Sequence, residues 1–357
     1  MGTSLARPNV QTSLESLELS PELRGHSPHE LLAVARALKP EPGNRTRFWQ
    51  LCLGVEPLKE EEPCDVLAWL LQLPSPDADN SDECIRLDVP RTPVPEHMQS
   101  SDDFQHNLHA VLLAYARRNP AIGYKSGMSF IAGALLGEMD REDAFWCFCA
   151  IIERMLPPGI FEDGSRARFE EATVFPELLR KTRPKLHAHL EREMAYWHGF
   201  LHSWIYTLFT YLKVPYVVQL RLWDGLFLRG FDGLHQVGLA IFQQLEPILL
   251  ACRGLEEASH VGRDHLPIDW TKVDFLDLRT GVDNKFIEEC RRSGLLEQQQ
   301  RAPIRRYVLE WSIHSHHRFR PKRKRSVLAV LMLQRRCGSL FNRLSKALWL
   351  NKILPLT

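Results

Sequence analysis

The chain has 357 residues, of which 44% are hydrophobic and 25% are charged, and its formal net charge is +1. These are ordinary values for a globular protein that is long enough to bury a core, as one large domain or two small ones. The balanced net charge excludes a general attraction to nucleic acid or membranes, so a site for either must come from a local patch.

Neither the cysteines nor the histidines are spaced as metal ligands. The eight cysteines are scattered, and the close pair Cys147 and Cys149 falls within an apolar helical pattern, which is typical of buried, reduced thiols. The close histidines, His187 with His189 and the group at 314–317, have no cysteine or acidic residue at ligand spacing. We therefore expect no metal site.

The N-terminal region is predicted to be a lead-in without a packed core. This lead-in spans residues 1–41: residues 1–28 are rich in Ser, Pro, Leu and Glu, and a short helical pattern at 29–38 stops at Pro40 and Pro42. The basic and then apolar stretch of a signal peptide is missing, and no apolar run approaches the roughly 20 residues that span a bilayer. We expect a cytoplasmic protein.

The first strong helical pattern is RTRFWQLCLG at residues 45–54, an amphipathic helix with its aromatic residues buried. Residues 56–65 and 74–83 are acidic, which predicts that this part of the chain lies at the surface in contact with solvent. They lead to IRLDVPRT at 85–92, where Asp88 and Arg91 lie in a stretch bounded by prolines. This pattern predicts a loop from which a charged residue reaches outward.

A helix follows, with one apolar face (Phe104, Leu108, Val111, Leu112, Tyr115), and Asn119-Pro120 ends it. Next comes GYKSGM at 123–128, whose two glycines predict a tight turn that approaches a ligand closely. Residues 130–136 predict a helix of small residues that packs closely, and Asp140 is the predicted N-cap of the next helix. No strand-like alternation persists between residues 100 and 250, so the predicted class is all-α.

These blocks, with LRLWDGLFLRG at 220–230, resemble the TBC domain of Rab GTPase-activating proteins. That family carries an Ile-x-x-Asp-x-x-Arg block, a Tyr-x-Gln-Gly-Met step and an Ile-Trp-Asp block in this order, after a helix that runs from an Arg to a Trp. The resemblance covers about residues 42–252 and implies a multi-helix Rab-GAP domain. Residues 253–357 would form a helical and basic C-terminal extension.

The resemblance also implies roles for individual residues. Arg91 would be an arginine finger, which neutralises charge on the transferred phosphate and is worth about 10³–10⁵ in rate. Asp88 would orient its guanidinium, although the two could simply form a surface ion pair. The supporting residues would be Tyr124, Gly127, Arg221, Trp223 and Asp224, with Trp223 in the core and Asp224 paired with Arg221 in a buried ion pair. Glu171 stands where the family usually has Asp.

Ser126 departs from the family, because it occupies the position of the glutamine that positions water. Its hydroxyl is too short for that role, and losing one such donor typically costs about 10²–10³ in rate. The first expectation is therefore a Rab GTPase-activating protein acting in vesicle trafficking. The alternative is a catalytically weak TBC module that binds a Rab as a scaffold. GTP and Mg²⁺ would be bound by the partner GTPase, since this chain has no Gly-rich phosphate loop and needs no cofactor of its own.

Residues 301–325 hold nine Lys or Arg and one Glu. The densest run is Arg318, Arg320, Lys322, Arg323, Lys324 and Arg325. It is interpreted in three ways: an exposed tail, a contact for the acidic headgroups of a membrane surface, or a nuclear-import address. Residues 339–350 are a candidate basic amphipathic helix. A Rab regulator would be peripheral on endomembranes, and no specific nucleic acid is expected.

Overall fold

The computed structural model describes residues 40–300 apart from 42, 63–64, 74–79, 99–102, 162–165, 194–203, 205, 213, 255–256, 258–267 and 279. Every regular element in these ranges is helical, which confirms the predicted all-α class. The predicted lead-in up to residue 39, the basic run at 318–325 and the helix candidate at 339–350 lie outside the described residues. None of the described helices is long and apolar enough to cross a membrane.

The α-helices of the described ranges are numbered in chain order. They are α1 (Arg45–Leu53), α2 (Val55–Glu60), α3 (Val66–Gln72), α4 (Ser81–Asp88), α5 (Asp103–Arg118), α6 (Met128–Leu136), α7 (Arg141–Ala150), α8 (Arg166–Thr182), α9 (Pro184–Glu193), α10 (Tyr216–Arg229), α11 (Asp232–Ala251) and α12 (Asn284–Gln300). Short 3₁₀ turns span Val89–Arg91, Glu96–Met98 and Trp270–Lys272, and a π-helical turn, Ile151–Met155, continues α7.

The helices pack in two groups. In one, α5 is central and contacts α3, α4, α6 and α7; in the other, α8 contacts α9, α11 and α12. Helix α10 packs against α11 of the second group and against α1, which contacts α7 of the first, so it lies between the groups. The predicted apolar face of α5 is buried along its whole length, as the helical period requires. Asp140 caps α7 as predicted, accepting hydrogen bonds from the backbone N–H groups of Glu142 and Asp143.

The predicted loop around Asp88 and Arg91 is wrong. Asp88 is the last residue of α4, and Val89–Arg91 continues directly as a 3₁₀ turn. Proline is compatible with this geometry, because Pro90 lies in the first positions of the turn, where its missing N–H removes no hydrogen bond. Arg91 is therefore presented at the end of a helical segment and not by an extended loop.

A segment beyond the range of the resemblance packs on α10. We call residues 268–278 the C-terminal strap; its side chains Val273 and Phe275 are buried. Two arginines of α10 hold its backbone: Arg221 donates to the Val273 carbonyl at 2.8 Å, and Arg229 donates to the Phe275 carbonyl at 2.7 Å. After the strap, α12 packs on α8 and buries Ile287.

Gly225 lets the strap approach α10. A Cβ atom at this position would overlap the carbonyl oxygen of Phe275 and come within 3.0 Å of its Cβ. Alanine is normally better than glycine in a helix interior by about 1 kcal/mol. The glycine here is therefore explained by the close approach of the strap backbone and not by helix preference.

We predict that Gly225→Ala lowers the free energy of unfolding by about 1–3 kcal/mol, because the strap must shift to admit the methyl group. Urea unfolding of the full chain measures this change. Gln244→Ala, at an exposed position within α11, is the control, and it should change stability little. A Gly225→Ala protein as stable as wild type would show that the strap accommodates the methyl group at no cost.

Candidate functional site

Arg91 projects from the surface while one edge of its guanidinium is held. Its side chain is 61% exposed. Nη2 donates to Asp88 Oδ1, and Nε donates to the Leu87 carbonyl at 2.8 Å. Among the described residues no partner of Nη1 is found, so the N–H groups of Nη1 are available to another molecule. The predicted surface ion pair between Asp88 and Arg91 is thus present, and it leaves part of the guanidinium unused.

Tyr124 connects this pair to the next sequence block. Its hydroxyl donates to Asp88 Oδ2 at 2.7 Å, and its backbone N–H donates to Ser81 Oγ at 2.8 Å. Burial, followed by the negative charge of Asp88, raises the pKa of Tyr124 above its ordinary value, so the hydroxyl stays a donor. The two carboxylate oxygens of Asp88 are therefore divided between Tyr124 and Arg91, which fixes the orientation of the carboxylate.

Ser126 is exposed in the turn that follows Tyr124. The next residue, Gly127, has a φ of 100°, a conformation that favours glycine. The close approach predicted for this turn is real, but it is made to the protein itself: a Cβ on Gly127 would lie 3.2 Å from the Cβ and carbonyl oxygen of Tyr206. The prediction that the glycines make room for a ligand is therefore wrong for Gly127.

The predicted buried pair of Arg221 and Asp224 is wrong. Asp224 is 2% exposed, and its Oδ1 accepts from Arg45 Nε at 3.0 Å and from Trp49 Nε1 at 2.8 Å. Burial raises the pKa of Asp224 to about 6, and the charge of Arg45 offsets part of this shift. Arg221 instead donates to carbonyls of the strap. Arg45 and Arg221 each bind a partner that is distant in the sequence. The three-residue spacing of Arg221 and Asp224 could not reveal these partners.

Arg45 and Trp49 are the site residues that sequence reasoning left without partners. Their spacing of four residues puts them on one face of α1, and this was a usable signal for a shared acceptor. Arg45 is also within 3.4 Å of Glu138, whose other oxygen accepts from the Tyr216 hydroxyl at 2.9 Å. The cluster ties α1 to α10 and to the turn after α6.

Trp223 is completely buried, as predicted for a core residue. Its ring centroid lies 5.4 Å from that of Trp49 and 5.0 Å from that of Phe227. Its Nε1–H donates to the Leu208 carbonyl at 2.8 Å, which satisfies the polar end of the indole. Trp223 and Asp224 are therefore core residues and do not reach the surface.

A polar cavity of about 480 Å³ lies elsewhere, where α12 meets α8 and α11. Glu171 in its wall accepts from Arg291 Nε at 2.7 Å and lies 3.2 Å from His235 Nε2. Arg291 also donates to Asp232 at 2.8 Å and to Glu288 at 2.6 Å. Burial alone would raise the pKa of Glu171, but the bonds from His235 and Arg291 outweigh it and the pKa lies below its ordinary value.

The described residues contain no group of three or more His, Cys, Asp or Glu able to hold a metal ion.

Comparison with known proteins identifies the family. Residues 43–250 match the model of the Rab-GTPase-TBC domain. This chain belongs to the Rab-GTPase-TBC domain family. The family model covers nearly the same residues as the blocks that carry the resemblance.

Two relatives illustrate the similarity. The chain is 31% identical over 226 residues to TBC1 domain family member 2B of Xenopus tropicalis, which covers 62% of this chain and 24% of that protein. It is 30% identical over 212 residues to Growth hormone-regulated TBC protein 1 of Homo sapiens, covering 58% of this chain and 61% of that one. The chain thus spans about a quarter of the first relative's length and less than two thirds of the second's.

Two crystal structures have the same fold. The Chlamydomonas flagellar RabGAP TBC domain superposes with a TM-score of 0.59 at 25% identity, covering 72% of this chain and 85% of that one. The Ypt/Rab-GAP domain of Gyp1p superposes with a TM-score of 0.55 at 16% identity, covering 77% and 94%. The second similarity concerns the fold alone.

We predict that Glu171 gives the stability of this domain part of its acid sensitivity. Because its folded-state pKa is lowered, its contribution is fully present above the ordinary value of 4.5 and is lost as the pH falls through the folded-state pKa. Urea unfolding between pH 7 and pH 3 should therefore show a shallower loss of stability for Glu171→Gln than for wild type.

Glu288→Gln is the matched control for this pH series, because Glu288 binds the same Arg291 but its side chain is 50% exposed. It should keep the wild-type slope. Identical slopes for Glu171→Gln and wild type would contradict the assignment of acid sensitivity to Glu171.

Proposed function

We propose that this chain is a GTPase-activating protein for a Rab-family small GTPase, and that Arg91 is its arginine finger. The observation that carries the proposal is the exposed guanidinium of Arg91, held along one edge by Asp88 and the Leu87 carbonyl, in a chain of the Rab-GTPase-TBC domain family. GTP and Mg²⁺ belong to the partner, and the arginine acts in trans.

GTP hydrolysis is accelerated by positive charge beside the oxygens of the γ-phosphate. Water attacks the γ-phosphorus of GTP, the bond to the β–γ bridging oxygen breaks, and negative charge spreads over the phosphate oxygens. N–H groups of Arg91 that have no partner among the described residues would donate to these oxygens, an effect worth about 10³–10⁵ in rate. A guanidinium that is already held on one edge loses less conformational freedom when it inserts.

Asp88 and Tyr124 are positioning residues in this proposal. Asp88 holds Arg91, and Tyr124 holds Asp88 by a second bond, so the carboxylate cannot rotate away from the guanidinium. Neither residue would touch the nucleotide. Because the side chain of Asp88 is only 17% exposed, water weakens the pair less than it would weaken an exposed pair.

Ser126 lowers the expected rate. It is exposed and stands where the family has a glutamine, but its hydroxyl does not extend as far as an amide, and one missing donor typically costs about 10²–10³. We propose that the glutamine of the GTPase itself orients the attacking water. The net effect is acceleration that depends on Arg91 and remains below that of a protein with both residues.

Single-turnover GTP hydrolysis across a panel of purified Rab proteins tests this function. Wild type should accelerate at least one Rab, Arg91→Ala should abolish that acceleration, and Ser126→Gln should increase it. Arg86→Ala is the matched control, because Arg86 lies on α4 shortly before Arg91, is 70% exposed and pairs with Asp82. It should keep wild-type activity.

Two results would contradict the proposal. If Arg91→Ala accelerates as well as wild type, Arg91 is not the finger. If wild type is inert on every Rab and Ser126→Gln restores activity, the chain is a Rab-binding scaffold built on a disabled catalytic fold.

We also propose that the basic run from Arg318 to Arg325 binds acidic headgroups, which would place the chain on endomembranes in vesicle trafficking. The charge of the sequence supports this, at about 1 kcal/mol for each Lys or Arg near an anionic surface. Replacing the six basic residues by Gln should abolish cosedimentation with vesicles that contain phosphatidylserine. Equal cosedimentation of both proteins, or wild-type binding that 0.5 M salt does not weaken, would contradict it.

A further inference from the structure

Two exposed apolar side chains flank the site. The large hydrophobic residues that are exposed in the described part of the chain are Trp69, Leu87, Tyr211, Val217 and Leu250. Leu87 is 61% exposed, and its own carbonyl accepts the hydrogen bond from Arg91 Nε. Tyr211 is 62% exposed, and it lies five residues after Tyr206, which packs against Gly127, the neighbour of Ser126.

The backbone just before Tyr211 adopts a conformation that residues with side chains rarely take. Leu208 has a φ of 46° and Phe209 a φ of 68°, and both side chains are completely buried. Two consecutive left-handed residues other than glycine persist only where the surrounding structure holds them, and such positions cluster at functional sites. The surrounding structure therefore holds this turn under strain, and the residue that follows at the surface is Tyr211.

Hydrogen bonds from the core and within the turn hold it. Trp223 Nε1 donates to the Leu208 carbonyl at 2.8 Å, from a side chain with no exposure. The Tyr211 backbone N–H donates to Thr207 Oγ1 at 3.3 Å, and the Phe209 N–H donates to the Trp204 carbonyl at 3.3 Å. The buried anchors turn the chain so that the following Tyr211 ring stands at the surface.

The residue that leads into this turn, Tyr206, adjoins the Ser126 position. A Cβ on Gly127, the residue after Ser126, would lie 3.2 Å from the Cβ and carbonyl oxygen of Tyr206. The ring of Tyr211 meets the ring of Phe130 edge to face, with centroids 5.8 Å apart. Tyr211 therefore lies next to the Ser126 turn, as Leu87 lies next to Arg91, and the Tyr124–Asp88 bond holds these two parts of the site together.

We propose that Leu87 and Tyr211 are docking contacts for the GTPase that receives Arg91, and that they help to determine which GTPase is accepted. The proposal rests on the proposed function. Any partner whose phosphate reaches Arg91 must cover the residues beside it, so the occupant of this surface is the GTPase. Tyrosine suits such a role, because it buries a large area with few rotatable bonds and is enriched among residues that dominate binding energy.

Affinity and rate should respond differently to loss of these side chains. The probe is each Rab of the panel loaded with a non-hydrolysable GTP analogue, and its dissociation constant is measured against the full chain. Tyr211→Ala and Leu87→Ala should each weaken binding at least about tenfold. In single-turnover hydrolysis they should raise the half-saturating concentration of the Rab while the maximal rate stays within about twofold of wild type.

Matched controls come from exposed residues that lie elsewhere. Trp69→Ala removes an aromatic ring that is 58% exposed on α3, and Leu250→Ala removes a leucine that is 39% exposed near the end of α11. Both should bind as wild type does. Tyr211→Phe keeps the ring and should also keep the affinity. Melting temperatures of all variants identify any change that comes from unfolding, and Leu87→Ala gives a test that does not involve the strained turn.

The outcomes separate this inference from the proposed function. Unchanged affinity of both alanine variants for a Rab that wild type binds overturns the docking surface, even if Arg91 proves catalytic. Weakened binding by Tyr211→Ala to a Rab that wild type binds but does not activate supports the docking surface and contradicts only the catalytic proposal. A wild-type chain that binds no Rab of the panel overturns both.

Discussion

The buried carboxylate of Asp224 is the constraint on which the arrangement depends. With 2% exposure it needs both Arg45 and the indole N–H of Trp49, because an unpaired buried charge would destabilise the fold by several kcal/mol. The residues on either side of Asp224 in α10, Trp223 and Gly225, face other segments, because successive side chains of a helix point about 100° apart. Trp223 holds the strained turn, and Gly225 admits the strap. Three consecutive residues thus connect α10 to three separate segments.

The candidate site combines a rigid support with an exposed functional group. Tyr124 is buried, Asp88 is mostly buried, and Arg91 is mostly exposed, so the hydrogen bonds lead from the core to the surface. A buried tyrosine whose pKa is raised stays protonated and keeps donating at any physiological pH. The guanidinium therefore stands in a set position before any partner arrives, as the role in trans proposed for it requires.

Because of Ser126, the two parts of the candidate site, the Asp88–Arg91 pair and the turn after Tyr124, differ in how far they match the family. Asp88 and Arg91 stand at the positions of the family's Ile-x-x-Asp-x-x-Arg block, whereas the turn after Tyr124 carries a short hydroxyl in place of an amide. The backbone of that turn fits closely against the protein, since a Cβ on Gly127 would lie 3.2 Å from Tyr206. Ser126 is therefore presented by a turn that is fixed on the fold. Under the proposed function, activity and binding are therefore separable properties of this chain.

Local features were determined by the sequence alone. The apolar face of α5, the cap at Asp140 and the all-α class follow from periodicity and from hydrogen bonds between near neighbours, and the blocks around Arg91 and Tyr124 marked the family. Partners that are distant in the chain were decided by the tertiary structure. Asp224 pairs with Arg45, 179 residues away, because packing brings α1 onto α10, and Arg221 turns to the strap, which no motif announced. Proline allowed either a loop or a 3₁₀ turn after Asp88, and only the packed fold selected the turn.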